Sequence, residues 1–492
     1  MKKSMDRKLD HSLIALGVLL LISAIVWLWE GYHLIATNAS LLNYEQQVYS
    51  HCWESVWFQH DTPPMSTILN SLILSFGKWQ IGALLTLRLA TMLLGFALIF
   101  LACRQMGAGT TISFFVSLGH SISSIRTQPV DWFSHDSPVY FFLPLFIWSM
   151  VKFIRETSKK WGWGVAFSAG ALVMTSSVPG LVAVGLGLVL VLFQKKIPLS
   201  FARHVAPLLI PVLLIGFLCL KNYLNVNLFT LATKGGQNGL AFVTNLLDSD
   251  VVPPLALKAK LPDWWLTCYI NSQGLENKQS GLCYDYHGPL MSLNYDDLRQ
   301  ELGILPESKL SQAISLDEAD ESKRPWIFAA GEAPNCGRRF NALYNGESEK
   351  IWQYFLTHYP LMFFNIVFDN TNKLFNYDGP GWMPEWLHNK NQRSAFFNSE
   401  FSRVMAVFYW ISIGFAYLMV LVLIFKIHKF FPLGQTSIGP VSLMALGYII
   451  SNILLVIATC GDQPRYFWMA EPYLIPLLAW VLQWAIKNQT IL

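Results

Sequence analysis

The feature that most constrains the fold of this chain is a series of long apolar runs. A helix that crosses a bilayer needs ~20 mostly apolar residues, and runs close to this length recur along the first half of the sequence and again near its end. Only 13% of the residues are charged, whereas soluble domains carry about a quarter. The sequence therefore predicts an integral membrane protein built from helices.

Ten of these runs are candidate membrane spans. The first follows a basic start, as a signal peptide does, but no small-residue cleavage site comes after it, and we interpret it as an uncleaved span. The candidate spans are 13–29, 81–103, 110–125, 138–154, 165–178, 180–193, 205–220, 404–425, 441–459 and 466–486. They predict a polytopic α-helical membrane protein of about ten spans.

Basic residues between the runs orient the spans, because cytoplasmic loops carry an excess of Lys and Arg. With ten spans, most basic loop residues fall on one side, and the loop 32–64 on the opposite side has none. Lys78 and Arg126 are lone exceptions on that opposite side. Both termini are therefore predicted to be cytoplasmic.

Three regions follow from this topology. Residues 1–223 form an N-terminal transmembrane module whose first extracytoplasmic loop is 31–80, and residues 404–492 form the C-terminal spans. The segment 224–403 is too long for a plain loop and carries its own Pro, Gly and charged residues. It is predicted to be an extracytoplasmic α/β or mixed domain, with an aromatic interfacial helix within 351–375.

One short pattern occurs twice on the predicted outer side. Residues 58–63 read F-Q-H-D-T-P, and residues 133–138 read F-S-H-D-S-P. Ser or Thr before Pro is typical of a helix start. Thr62-Pro63 therefore predicts a helix that runs to Ser75, and Ser137-Pro138 predicts the start of the fourth span. Capping explains D-[S/T]-P in both copies, but it leaves the histidines unexplained.

The same pattern permits a metal site if the two copies converge. His60, Asp61, His135 and Asp136 are residue types that hold zinc or manganese. Adjacent His and Asp residues rarely both face one ion, so this spacing does not establish a metal site. No cofactor is predicted from the pattern alone. A divalent cation is an alternative in which His60 and His135 are ligands, and otherwise they are auxiliary residues.

Carboxylates that face one cleft predict general-base catalysis. A carboxylate deprotonates an acceptor hydroxyl while a cation stabilises a leaving phosphate. Arg88 lies within the second span, where a charge is costly and marks a functional candidate, and Arg465 begins the last span on the outer side. Snorkelling to the interface explains Arg465 as well, and a structural pair with Glu45, Asp61 or Asp136 would explain Arg88.

Several motifs, taken in order, resemble those of the GT-C membrane glycosyltransferases. They are Glu45 in an acidic first outer loop, Thr62-Pro63-Pro64-Met65, Arg88-Leu89, Asp136-Ser137-Pro138, Lys221-Asn222-Tyr223 followed by 233–238, and Arg465-Tyr466 with Pro472. The likeness is to the branch with bacterial relatives of the dolichyl-phosphate-mannose protein mannosyltransferases, the aminoarabinose transferase and the lipopolysaccharide galacturonosyltransferases. The chain departs from the family at Tyr44-Glu45, where the family has Asp-Glu, and near 175–180, where the family's Lys is absent.

The resemblance implies a GT-C-like fold in the plasma (inner) membrane, with an active site on the extracytoplasmic side. The donor would be a sugar on a polyprenyl phosphate, and the acceptor a lipid, glycan or protein of the cell envelope. Transfer would invert the anomeric carbon. The candidate bases are Glu45, Asp61 and Asp136, and the candidate phosphate-binding residues are Arg88, Lys234 and Arg465.

Two other functions stay open. A transporter or lipid flippase needs broken helices or charges at mid-membrane, and no paired acidic residues lie deep in any span. A catalytically inactive scaffold on the same fold is the other alternative, because the family's usual Asp is absent. Nucleic acid is not an expected partner, since the net charge is only +4 and apolar runs separate the basic residues.

Overall fold

The computed structural model describes residues 11–28, 50–60, 63–127, 138–156, 158–193, 201–232, 295–296, 299, 304–324, 338–361, 438–459 and 470–488, to which the structural statements below refer. Most of these residues lie in helices and none lies in a strand. The predicted helical class is therefore confirmed, whereas the number of spans stays a prediction.

Helices occupy nine of the ten predicted spans, and the run 404–425 lies outside the described residues. In chain order the helices are α1 (His11–Leu28), α2 (Cys52–Phe58), α3 (Met65–Leu74), α4 (Gln80–Gln105), α5 (Thr110–Thr127), α6 (Val139–Glu156), α7 (Lys159–Thr175), α8 (Ser177–Phe193), α9 (Phe201–Val226), α10 (Lys309–Glu321), α11 (Arg339–His358), α12 (Ile438–Thr459) and α13 (Glu471–Asn488). A single 3₁₀ turn, Gly77–Trp79, joins α3 to α4.

Prolines precede the first residues of α3 and α6. Pro64 is the N-cap of α3, which begins at Met65, so the predicted start at Pro63 was wrong. The reason is that a residue directly before a proline is disfavoured in helical geometry, and Pro63 is in that position. α6 begins at Val139, directly after Pro138 and one residue later than the predicted span 138–154.

Three helical stretches are long and apolar enough to cross a membrane: His11–Leu28, Gly77–Gln105 and Ala206–Val226. The outward face of α9 supports this interpretation, because its large apolar side chains are exposed at helical spacing. They include Leu209, Leu213, Phe217 and Leu224. An apolar stripe of this length is unfavourable in water but matches lipid tails. The structure thus indicates association with a membrane.

The core of the helical bundle is centred on α6. This helix packs against α4, α7, α8, α12 and α13, and its side chains Leu143, Phe146, Ile147 and Met150 are all fully buried. α4 comes especially close, since a Cβ added at Gly95 would overlap the carbonyl oxygen of Tyr140. The absence of a side chain at this position lets two backbones meet.

The described part of 224–403 contains two paired helices. α10 packs on α11, and α11 also contacts α9, where a Cβ at Gly346 would lie 3.0 Å from Leu228. α11 ends at His358 and so covers only the start of the predicted interfacial stretch 351–375. The α/β or mixed domain and the three domain boundaries stay predictions.

Candidate functional site

The first copy of the repeated pattern begins where α2 ends. Phe58 is the last residue of α2, and Gln59 caps it in an extended conformation, with φ −63° and ψ 120°. The last carbonyls of a helix have no partner within the helix and form the negative end of its dipole. The pattern therefore starts at a point that requires hydrogen-bond donors, and preferably a cation.

Lys221 of α9 supplies that cation. Its side chain is buried, and its ammonium Nζ donates to the carbonyl of Val56 at 3.1 Å and also to the carbonyl of Gln59. One turn further along α9, the Asn225 amide donates to the carbonyl of Trp57 at 2.6 Å. The carboxyl-terminal end of α9 thus holds the last turn of α2 through three backbone carbonyls.

The side chains of Gln59 and His60 fix the chain after α2. The Thr67 hydroxyl donates to Gln59 Oε1 at 2.6 Å, which ties this point to α3. His60 is only 1% exposed, and its Nε2 donates to the carbonyl of Arg338 at 3.1 Å. Since a carbonyl only accepts, Nε2 carries the hydrogen. We call residues 56–60, held by α3, α9 and Arg338, the α2 junction.

Basic residues from three parts of the chain meet at or next to this junction. Besides Lys221, the Arg324 guanidinium lies 4.8 Å from the centre of the Phe58 ring, and the Arg338 guanidinium lies 4.6 Å from that of Tyr295. Asp61 is the next residue in the sequence after His60. A candidate carboxylate therefore directly follows, in the sequence, a segment that two basic side chains contact, those of Lys221 and Arg324.

Asp317 positions the start of α11, next to the Arg338 carbonyl that His60 contacts. Its carboxylate accepts the backbone N–H groups of Arg339 and Phe340 at 3.0 Å each, so it caps α11 from the neighbouring helix α10. The Arg339 guanidinium lies 3.4 Å from the same carboxylate. Burial raises the pKa of Asp317 to about 6, against the opposing effect of these hydrogen bonds and of the nearby arginines.

The other predicted site residues fall into two groups. Arg88 is half-buried in the third turn of α4, where its carbonyl accepts the Thr91 hydroxyl at 2.9 Å. The rest lie outside the described residues, and their roles stay predictions. They are Glu45, Asp61, His135, Asp136, Lys234 and Arg465.

The metal alternative gains no support from the described residues. Among them, no group of three or more His, Cys, Asp or Glu side chains is arranged to hold an ion. Of the four residues that the pattern offered, only His60 is described, and its Nε2 is engaged by a carbonyl. The divalent cation therefore has no structural argument in its favour at the junction.

Sequence reasoning missed one ionisable pair inside the helical bundle. His120 Nδ1 of α5 lies 3.4 Å from Glu471 Oε2 of α13, and both side chains are largely buried. The Phe96 ring of α4 packs edge-on against His120. The signal was present, because each residue is an ionisable group within a predicted span, but nothing in the sequence indicated that the two are partners.

Lys221 was missed as a site residue for a similar reason. It was noted only as part of a motif, yet it is the one charged residue of the candidate span Ala206–Val226. Arg324 and Asp317 carried no signal, since each acts on a residue that is distant in sequence.

Comparison with known proteins identifies no relative: the sequence matches no family model, no curated protein and no solved structure.

Proposed function

We propose that this chain is an integral-membrane glycosyltransferase of GT-C-like fold, with about ten spans and both termini in the cytoplasm. It moves a sugar from a polyprenyl-phosphate donor to a lipid, glycan or protein acceptor on the outer side of the plasma (inner) membrane. The family in this proposal comes from the resemblance of the sequence motifs. The contacts of the α2 junction are the structural observation that supports it.

The observation that carries this proposal is the convergence of basic residues at the α2 junction. A buried ammonium, that of Lys221, and the guanidinium of Arg324 contact residues 56–59, and Asp61 follows two residues later. Transfer from a phosphate donor requires a base for the acceptor hydroxyl and a cation for the departing phosphate. Residue types for both tasks are close together at this point of the chain.

The surface next to the junction suits a substrate that resides in the membrane. Trp53 and Trp57 lie one turn apart on α2 and are 78% and 42% exposed, and Trp79 at the start of α4 is 69% exposed. Tryptophan is enriched at the boundary between lipid tails and headgroups. A polyprenyl phosphate has its phosphate at that same level, because its tail stays in the bilayer.

The reaction follows from these roles. A carboxylate takes the proton of the acceptor hydroxyl, and the oxygen attacks the anomeric carbon of the donor. The bond from that carbon to the phosphate oxygen breaks, the electron pair leaves with the polyprenyl phosphate, and the configuration inverts. The candidate carboxylates are Glu45, Asp61 and Asp136, and the candidate cations for the phosphate are Arg88, Lys234, Arg465 and Arg324.

Release of polyprenyl phosphate tests this function. The purified protein in lipid nanodiscs would receive a panel of polyprenyl-phosphate sugars and a membrane extract as the source of acceptor. We expect release that needs the extract and is abolished in the triple variant Glu45→Gln/Asp61→Asn/Asp136→Asn. Release that persists in a folded triple variant would show that none of the three carboxylates is the catalytic base. If no donor gives release, the inactive scaffold becomes the better interpretation.

A second candidate function is transport of a lipid-linked sugar. The observation that favours it is the His120–Glu471 pair, because ionisable residues inside a helical bundle mark substrate or ion pathways by default. Proteoliposomes with a fluorescent lipid-linked sugar distinguish the two functions. Movement of the label across the bilayer without release of polyprenyl phosphate supports the transporter, and release without movement supports the transferase.

A further inference from the structure

The turn between α6 and α7 has an excess of positive charge. Lys159 and Lys160 are the first two residues of α7, and both are exposed. Along 138–193 the chain has four basic residues but a single carboxylate, that of Glu156. One carboxylate cannot neutralise four basic side chains, so this end of the two helices attracts anions.

Contacts around Trp161 hold the start of α7 in place. Its indole N–H donates to Glu156 at 2.6 Å, and its ring meets that of Trp148 of α6 edge-on, with 4.7 Å between the ring centres. Glu156 also accepts the Lys152 ammonium at 2.6 Å, and the Lys160 ammonium lies 5.1 Å from the centre of the Trp161 ring. The carboxylate of the turn is thus already engaged, and the lysines extend from a fixed helix end.

Large aromatic side chains continue from these lysines along one face of α7. Trp163 and Phe167 follow Lys159 at intervals of four residues, and Lys160 precedes Trp163 by three. Residues at these spacings are neighbours on a helix surface. Trp163 is 54% exposed and Phe167 is 64% exposed. At a rise of 1.5 Å per residue, the two aromatic residues lie about 6 Å and about 12 Å from Lys159 along the helix axis.

This order of side chains matches the layers at the edge of a bilayer. The headgroup layer is about 5–7 Å thick on each side of the hydrocarbon core. With the lysines at the level of the lipid phosphates, Trp163 lies at the boundary with the tails, where tryptophan is enriched, and Phe167 lies among the tails. One phospholipid can therefore contact the lysines with its phosphate and the aromatic rings with an acyl chain.

We propose that Lys159, Lys160, Trp163 and Phe167 form a binding site for an anionic phospholipid. A zwitterionic headgroup has no net charge, so the excess positive charge of the turn selects a lipid whose headgroup is net negative. In the proposed topology the turn faces the cytoplasm, and the cytoplasmic leaflet is the one that carries anionic lipids. The site requires only that the protein resides in a membrane, and it is independent of glycosyl transfer.

Lipid titration of the full-length protein in detergent, followed by native mass spectrometry, tests this site with phosphatidylglycerol and phosphatidylcholine of equal chain length. We expect the wild type to bind phosphatidylglycerol more tightly. A basic residue near a lipid surface contributes about fivefold to binding, so Lys159→Gln/Lys160→Gln should lower this affinity by about 20-fold and leave that for phosphatidylcholine unchanged. Lys159→Arg/Lys160→Arg keeps both charges and should keep the affinity. Lys323→Gln/Lys350→Gln is the matched control, because it removes two exposed lysines elsewhere.

Four results would overturn the inference. Unchanged affinity for phosphatidylglycerol in Lys159→Gln/Lys160→Gln would show that the two lysines are part of the solvated surface. An equal loss in the control pair would show that the preference reflects the net charge of the whole protein. Displacement of the lipid by an equal concentration of glycerol 3-phosphate would assign the site to a free phosphate. Trp163→Ala should weaken the binding of both lipids, and unchanged binding in that variant would remove the acyl-chain contact.

Discussion

Asp317 connects α10 and α11 to the α2 junction through a short series of contacts. Its carboxylate caps the first N–H groups of α11, and the preceding residue, Arg338, offers its carbonyl to His60. The ring of Tyr295 covers the Arg338 guanidinium, and burial raises the pKa of Tyr295 above its usual value. One fully buried carboxylate thus determines where the partner of His60 lies.

The raised pKa of Asp317 predicts a pH dependence of stability. An unfolded aspartate has a pKa of about 3.9, and burial raises that of Asp317 to about 6. Between these values the folded state binds the proton more tightly, so the contribution is fully present below pH ~4 and is lost as the pH rises through 6. We expect the unfolding free energy of the wild type to fall, relative to Asp317→Asn, by up to about 3 kcal/mol from pH 4 to 7.

Denaturant unfolding of both proteins across that pH range measures this difference. Asn does not titrate, so it serves as the reference for all other ionisable groups. A difference between the two proteins that stays constant with pH would mean that the carboxylate is not buried as the structure has it. Glu156→Gln is the matched control, because Glu156 is an exposed carboxylate whose pKa is lowered by hydrogen bonds from Lys152 and Trp161.

At the scale of single residues, the sequence showed the repeated pattern at 58–63 and 133–138 but not the residues that contact it. His60 could be singled out because capping does not explain a histidine in both copies. Its acceptor, the Arg338 carbonyl, is 278 positions away, and no local rule predicts such a contact. Lys221 and Arg324 were missed for the same reason, since each contacts a residue of the predicted first outer loop from a distant part of the chain.

At the scale of elements, the helices were predictable because their length and apolarity are local properties. The separation of α7 from α8 was predicted, but its position was not: the predicted spans meet at 179, whereas α7 ends at Thr175, Ser176 is extended and α8 begins at Ser177. The start of α3 was not predicted correctly, because the effect of two consecutive prolines outweighs the preference of proline for the first helical position. Which helices become neighbours was not predictable from the runs alone.

The contact between α4 and α6 predicts an unequal effect of two glycine substitutions in α4. A Cβ at Gly95 would overlap the Tyr140 carbonyl, whereas a Cβ at Gly82 meets nothing within 4 Å. Alanine favours a helix by about 1 kcal/mol over glycine, and overpacking costs about 1–3 kcal/mol. We expect Gly95→Ala to lower the melting temperature and Gly82→Ala to leave it unchanged or raise it. Equal melting temperatures for the two variants would contradict the close approach of the helices.

The His120–Glu471 pair predicts how substitutions at the contact between α5 and α13 change the stability of the protein. Removing the histidine leaves the buried carboxyl group of Glu471 without the imidazole that lies 3.4 Å away, and breaking a buried pair in this way typically costs about 3–5 kcal/mol. Replacing both residues by apolar ones removes that penalty. We therefore expect His120→Leu to be less stable than His120→Leu/Glu471→Leu in denaturant unfolding. A double variant less stable than His120→Leu would show that loss of the pair is not the cause of the lower stability.

At the scale of the whole molecule, the proposed topology places the α2 junction outside and the turn between α6 and α7 inside. Glu54 in α2 and Lys159 at the start of α7 are exposed residues next to these two places. In intact cells, a membrane-impermeant maleimide should label Glu54→Cys above the level of the wild type and should not label Lys159→Cys until the membrane is opened. A reporter fused after Leu492 should likewise be active only in the cytoplasm. The reverse labelling pattern would overturn the orientation.

The central claim is that one of the carboxylates Glu45, Asp61 and Asp136 is the base in glycosyl transfer, and the rates of polyprenyl-phosphate release by Glu45→Gln, Asp61→Asn and Asp136→Asn, each made alone, test it most directly. A general base contributes ~10²–10⁴-fold, so the account predicts a loss of at least ~10²-fold in one of these variants at the melting temperature of the wild type. The other two variants are the matched comparisons and should lose less. Full activity in all three folded variants, beside an active wild type, would contradict the account.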